Sequence, residues 1–149
     1  MLFMVIERTA MPSLVSMKTV LRCRDFEASR KFYHSILGLQ ILEEWNEPVG
    51  QGAIFGFGPH QSGSLEIFQM TRIDPRYDPV FMSQIANDKI DVQLRTDSLE
   101  SWVDKLHGSW PVNGPEDLPW GQRWIKLRDP DGLLIAIYEN TRDREQGAA

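Results

Sequence analysis

The sequence predicts an α+β protein built from two βαβββ modules, whose curved mixed sheets surround a cleft and carry their helices on the outer faces. Three observations lead there. The order strand, helix, strand, strand, strand occurs twice along the chain. Each of the two helical stretches has one apolar face. The strands alternate so that one side of each sheet is apolar and the other carries polar groups. The predicted organisation is an N-terminal extension (1–16), a first module (17–70), a connector (71–89), a second module (90–140) and a polar tail (141–149), with the two modules forming one domain.

The first module opens with an extended run, Thr19–Cys23. Phe32, Tyr33, Ile36 and Leu37 then recur at helical spacing within Phe26–Leu37, with Asp25 placed to cap the first turn and Gly38 to end the last. Strands follow at Gln40–Trp45, Ala53–Phe57 and Ser64–Met70, separated by glycine-containing turns. The connector contains Pro75 and Pro79 and predicts a short helix around Val80–Ala86.

The second module repeats the order. Asp91–Thr96 is a strand, and Asp97 with Glu100 forms an Asp-x-x-Glu capping box. Leu99, Trp102, Val103 and Leu106 make the apolar face of a helix that Gly108 ends. Strands are predicted at Trp110–Val112, Arg123–Arg128 and Leu133–Glu139. Asp129-Pro130-Asp131-Gly132 is a strong turn signal between the last two. Placing the apolar alternates against the helices turns Lys18, Arg22, Glu66, Asp91, Gln93 and Arg95 toward the cleft.

The composition narrows the function classes. At 149 residues, with 42% hydrophobic and 25% charged residues, the chain suits one well-buried core. A formal net charge of −5 argues against nucleic-acid binding, which needs concentrated Lys and Arg. The single cysteine, Cys23, excludes an intrachain disulfide framework, fits a reducing cytoplasm and reads as a core residue. Glu7 and Arg8 interrupt the apolar start, so no signal peptide is expected, and no apolar run approaches the roughly 18 residues of a membrane span.

Two segments carry a family resemblance. Leu21-Arg22-Cys23-Arg24-Asp25-Phe26-Glu27-Ala28-Ser29-Arg30-Lys31-Phe32-Tyr33, continued by Leu37-Gly38-Leu39, matches an opening pattern. The run Trp124-Ile125-Lys126-Leu127-Arg128-Asp129-Pro130-Asp131-Gly132-Leu133-Leu134-Ile135-Ala136-Ile137-Tyr138-Glu139 matches a closing one. In this order and spacing the chain resembles, over Met17–Glu139, the vicinal-oxygen-chelate superfamily of glyoxalases, bleomycin-resistance proteins and extradiol dioxygenases. The resemblance implies two βαβββ modules around a cleft, with homodimers common.

In metal-dependent members four ligands line that cleft. The resemblance places them here on Lys18, Glu66, Asp91 and Ala136. A protonated Lys has no lone pair to offer and Ala has no polar side chain, so the usual site is not expected and no cofactor is predicted. A divalent metal held by Glu66 and Asp91 is the alternative. The same placement expects the Lys18 ammonium between Glu66 and Asp91, closing one end of a ligand pocket. In an enzyme, Glu66 or Asp91 would be the base and Lys18 would steady an oxyanion.

Arg22, Gln93 and Arg95 suit an anionic group on a ligand, while Phe68, Trp120, Trp124 and Tyr138 offer aromatic surface. His34, His60 and His107 form no metal triad by position. The leading expectation is a cytoplasmic, homodimeric, metal-independent binder of a small organic molecule, conferring resistance by sequestration. The competing readings are a lyase, isomerase or dioxygenase with an altered metal site, and a structural partner whose pocket has closed.

Overall fold

The structure, a computed structural model, describes residues 12–59 and 63–141. His60 and most of the N-terminal extension and polar tail lie outside the described residues. The first module comprises β1 (Lys18–Arg22), α1 (Phe26–Arg30) running into a π-helical segment (Lys31–Ile36), β2 (Gln40–Glu47), β3 (Gly50–Gly56) and β4 (Ser64–Met70). The second comprises β5 (Asp91–Arg95), α2 (Leu99–Leu106), β6 (Asn113–Leu118), β7 (Gln122–Arg128) and β8 (Leu134–Asn140). The strand orders are β1-β4-β3-β2 and β5-β8-β7-β6. In each sheet the first strand runs parallel to the last, while the other pairs are antiparallel. The two mixed sheets, with helices at the periphery, are the predicted architecture.

The repeat extends to the way each helix is anchored. The first N–H groups of a helix lack intrahelical partners and must find acceptors elsewhere. In the first module Phe26 N donates to Gln69 Oε1 at 2.7 Å, and in the second Leu99 N donates to Glu139 Oε2 at 3.0 Å. Gln69 on β4 and Glu139 on β8 thus pin their helices to the sheets from equivalent places. Asp25 caps α1 by accepting from Ala28 N, as its sequence position predicts. The cap of α2 is instead Ser98, which accepts from Ser101 N; Asp97 lies one residue too early for the chain's path into the helix.

Three other local expectations are corrected. The helix predicted over Phe26–Leu37 is α-helical only to Arg30, and the wider π turn closes with Leu37 N donating to Phe32 O at 2.9 Å. That segment fully buries the adjacent residues Phe32 and Tyr33. Between the modules, a single 3₁₀ turn (Pro79–Met82), capped by Asp78, replaces the helix expected around Val80–Ala86. The strand expected at Trp110–Val112 lies further on, at Asn113–Leu118. Trp110 packs on Phe32, with ring centroids 4.9 Å apart, and donates to Arg128 O at 2.8 Å.

The apolar helix-facing sides of both modules join in one core cluster that includes Leu21, Phe32, Phe55, Ile67, Leu99, Ile125 and Ile135. A buried polar seam crosses it. Asp129 Oδ1 accepts from the backbone N–H groups of Asp131 and Leu133, and its Oδ2 accepts from the Tyr33 hydroxyl at 2.7 Å. Asp131 accepts from Arg24 N and from the Ser29 hydroxyl. The turn acids therefore fasten α1 and its π segment to the second module. Gly132, at φ 87°, completes the turn in a conformation that favours glycine.

Cys23 is 1% exposed in this core, and burial pushes its thiol pKa up to about 12. Because the thiolate is the reactive form, a disulfide reagent is expected to leave the native protein unmodified at neutral pH and to titrate one thiol per chain after unfolding. Rapid modification of the native protein would contradict this packing.

Candidate functional site

Sheet alternation gives each module one face packed on its helix and one face turned away from it. On the first sheet the latter face carries Lys18 and Arg22 from β1 with Glu66 and Phe68 from β4. Lys18 lies opposite Ser64 and Val20 opposite Glu66, so the Lys18 side chain reaches Glu66 on the diagonal, Nζ to Oε2 2.6 Å. The Glu66 side chain is 13% exposed and that of Lys18 45%, so this ion pair sits at the edge of solvent. Arg22 stands over the Phe81 ring at 5.5 Å.

The expected trio is not assembled. No ion pair within 4.0 Å joins Lys18 to Asp91, whose carboxylate instead accepts from Gln93 Nε2 at 3.0 Å. β1 and β5 belong to different sheets, and hydrogen bonds between the modules run through Arg24, Ser29 and Tyr33 on the helix side. Nothing in the chain's own pairing brings Asp91 to Lys18. Ala136 is fully buried and offers no donor atom. Among the described residues no group of three or more His, Cys, Asp or Glu is placed to hold a metal ion. The groups at the four family positions do not make the family's usual site: one ammonium, one methyl group and two carboxylates.

The first sheet's face is surfaced in an unusual way. β3 has glycine at three of its four alternate positions on this side, Gly50, Gly52 and Gly56. A Cβ on Gly52 would collide with the Trp45 ring, one on Gly50 would lie 2.5 Å from the Phe68 ring, and one on Gly56 would lie 2.9 Å from Leu42. Side chains from β2 and β4 therefore lean over the bare backbone of β3. Trp45 and Phe68 lie at a centroid separation of 6.3 Å and an interplanar angle of 33°.

On the second sheet, strand register places Gln93, Ala136 and Lys126 in one row and Arg95, Tyr138 and Trp124 in the next. Lys126 Nζ sits 4.3 Å from the Trp124 ring centroid, within cation–π range. Trp124 Nε1 donates to Glu116, and Trp120 meets Trp124 edge-on with centroids 6.0 Å apart. Trp120 also donates to Gln122 Oε1 and is 57% exposed. Of the sequence-predicted ligand residues, Gln93, Arg95 and Tyr138 line one cavity, Trp120 and Trp124 pair beside it, and Arg22 and Phe68 lie on the first sheet. Sequence reasoning missed Lys126 as a cation on these faces. The alternation of Trp124 and Lys126 within β7 was the available signal for Lys126.

A fold of two paired βαβββ modules defines a class that spans metal enzymes and metal-free binders. Residues 16–137 match the model of the Glyoxalase/Bleomycin resistance protein/Dioxygenase superfamily. The uncharacterised protein YraH of Bacillus subtilis is 31% identical over 118 residues, covering 77% of this chain and 90% of that protein. A probable lactoylglutathione lyase of Synechocystis is 24% identical over 132 residues, covering 85% of this chain and 96% of that protein. The crystal structure of TnmS3, an antibiotic binding protein from Streptomyces sp. CB03234, superposes with a TM-score of 0.65 at 21% identity, covering 87% of this chain and 98% of that one. The chain belongs to the Glyoxalase/Bleomycin resistance protein/Dioxygenase superfamily.

Proposed function

We propose that this protein binds a small organic molecule without a metal, on the sheet faces turned away from the helices, and acts by sequestration. The carrying observation is the Lys18–Glu66 ion pair at the position where metal-dependent relatives hold their ion, with Ala136 as a second lost ligand. The rings of Trp45, Phe68, Trp124 and Trp120 supply flat apolar surface, and Arg22, Arg95 and Lys126 supply positive charge. The fold shared with an antibiotic binding protein supports this reading. We place the protein in the cytoplasm as a homodimer in which the first-module face of one copy meets the second-module face of the other. The lack of any Lys18–Asp91 link within the chain and the exposure of Trp120 support that arrangement. No helix among the described residues is long and apolar enough to cross a membrane.

The enzyme reading uses Glu66 or Asp91 as a base, alone or on a metal, and draws on the likeness to a probable lactoylglutathione lyase. Metal analysis separates the two. Protein purified without chelator and challenged with Fe(II), Mn(II), Ni(II) and Zn(II) is expected to retain far less than one ion per chain. A tightly held ion near one per chain, lost in Glu66→Gln or Asp91→Asn, would move the enzyme reading to the front. Under the binding reading, titration with planar organic cations and anions is expected to quench tryptophan emission saturably, with the compound recovered unchanged.

A further inference from the structure

We propose that the cavity along the open edge of β5, where the second sheet's face ends at Arg95 and Tyr138, binds a small apolar monocarboxylate; this deepens the sheet-face reading and rests on it. The cavity has a volume of about 630 Å³, within the range of small-molecule sites. Its walls include Thr19 and Leu65, which alternation places on the opposite side of their strands from Lys18 and Glu66. With Val92 and Leu94 of β5 lining it too, the cavity lies at the seam between the modules.

The contribution of β5 shows the cavity's geometry. Val92, Gln93, Leu94 and Arg95 all line it, four consecutive residues. A pocket on a sheet face meets only alternate residues of a strand; one that meets consecutive residues runs along an edge. β5 is such an edge, paired only with β8. Thr96 N donates to Tyr138 O at 2.8 Å, which fixes the phase: Val92, Leu94 and Thr96 direct their backbone groups to β8, while Gln93 and Arg95 direct theirs outward along the cavity.

The chemistry of the lining selects the ligand. Val92, Leu94, Phe57 and Leu65 give an apolar wall, and Tyr138 adds a hydroxyl. Arg95 enters none of the ion pairs among the described residues, so its guanidinium is available for a carboxylate, which it can meet with two parallel donors. Asp97 at the same cavity places a negative charge near it and disfavours polyanions. One carboxylate on a compact apolar body satisfies every group.

Phenylacetate is the probe, with its neutral analogue phenylacetamide as the control, followed by calorimetry and by saturation-transfer NMR on the full chain. Wild-type protein is expected to bind phenylacetate saturably and phenylacetamide more weakly. Arg95→Gln, at an exposed position, is expected to weaken phenylacetate by about tenfold, the scale of one charge-assisted hydrogen bond. Lys31→Gln removes one exposed positive charge outside the cavity lining and is expected to leave phenylacetate binding unaltered. No saturable binding, equal binding of the amide, or an equal loss in Lys31→Gln would each overturn the proposal. Failure with phenylacetate alone leaves the sheet-face reading to the metal analysis and to quenching by other planar compounds, so the two fail distinguishably.

Discussion

Asp129→Ala is expected to lower the melting temperature by about 10 °C, from a loss of about 3–5 kcal/mol. The carboxylate accepts three hydrogen bonds in the core, from the N–H groups of Asp131 and Leu133 and from the Tyr33 hydroxyl. Alanine leaves all three donors in place without acceptors. The fully buried Tyr33 would have to keep its hydroxyl dry and unpaired or carry the ring out of the core. Tyr33→Phe removes one donor together with its need and is expected to cost only about 1–2 kcal/mol. Thermal unfolding followed by circular dichroism reads both, and equal shifts would show that the seam is not held through Asp129.

The same carboxyl sets a pH dependence. Burial pushes the Asp129 pKa up, against the opposing hydrogen bonds from Tyr33 and from the Leu133 backbone. The native state then holds a proton that the unfolded chain releases, so stability falls as pH rises from the ordinary aspartate value through the raised one. Asp74 and Asp88 act the other way: hydrogen bonds from Arg76 and Arg128 hold them low, and their contribution is lost as pH falls below the ordinary range. Urea unfolding across the acidic range is expected to show a shallower decline above the ordinary value in Asp129→Asn than in wild type.

Gly52→Val is expected to abolish compound binding on the first sheet's face while leaving the fold intact. Valine suits a strand backbone, so the effect comes from the side chain alone. Its Cβ would occupy the space of the Trp45 indole, which must swing out. The displacement breaks the Trp45–Phe68 contact and costs about 1–3 kcal/mol, as overpacking does. The expected signature is a red-shifted emission component absent from Gly52→Val/Trp45→Phe, with saturable quenching lost in both. Unaltered quenching in Gly52→Val would remove this face from the binding site.

The fold was legible because its signals are periodic and local. Two apolar helix faces, Asp25 as cap and Asp129-Pro130-Asp131-Gly132 as turn are each dictated by neighbouring residues. What escaped depends on distant partners. β6, with the sequence NGPEDL, has no apolar alternation and is a strand because β7 pairs with it. Trp110–Val112 has the apolar character of a strand, yet Trp110 is drawn to Phe32 in the other module. The Lys18–Glu66 pair follows from register within one sheet, while the expected approach of Asp91 required the modules to be oriented by a rule the local sequence does not contain. Asp129 and Asp131 read as turn formers; their second role, as acceptors for Tyr33, Ser29 and Arg24, belongs to tertiary structure.

The glycine stripe of β3 has a consequence for how this surface can change. Since β3 contributes no side chains at Gly50, Gly52 and Gly56, the relief and chemistry there are written by Leu42, Trp45 and Phe68, which are rooted in other strands. A new ring or a polar group at any of the three would redraw the floor without touching the strand beneath or the helix-side packing behind it. The central strand serves as a blank support, and recognition can drift on it while the core, and with it the ability to fold, stays constant.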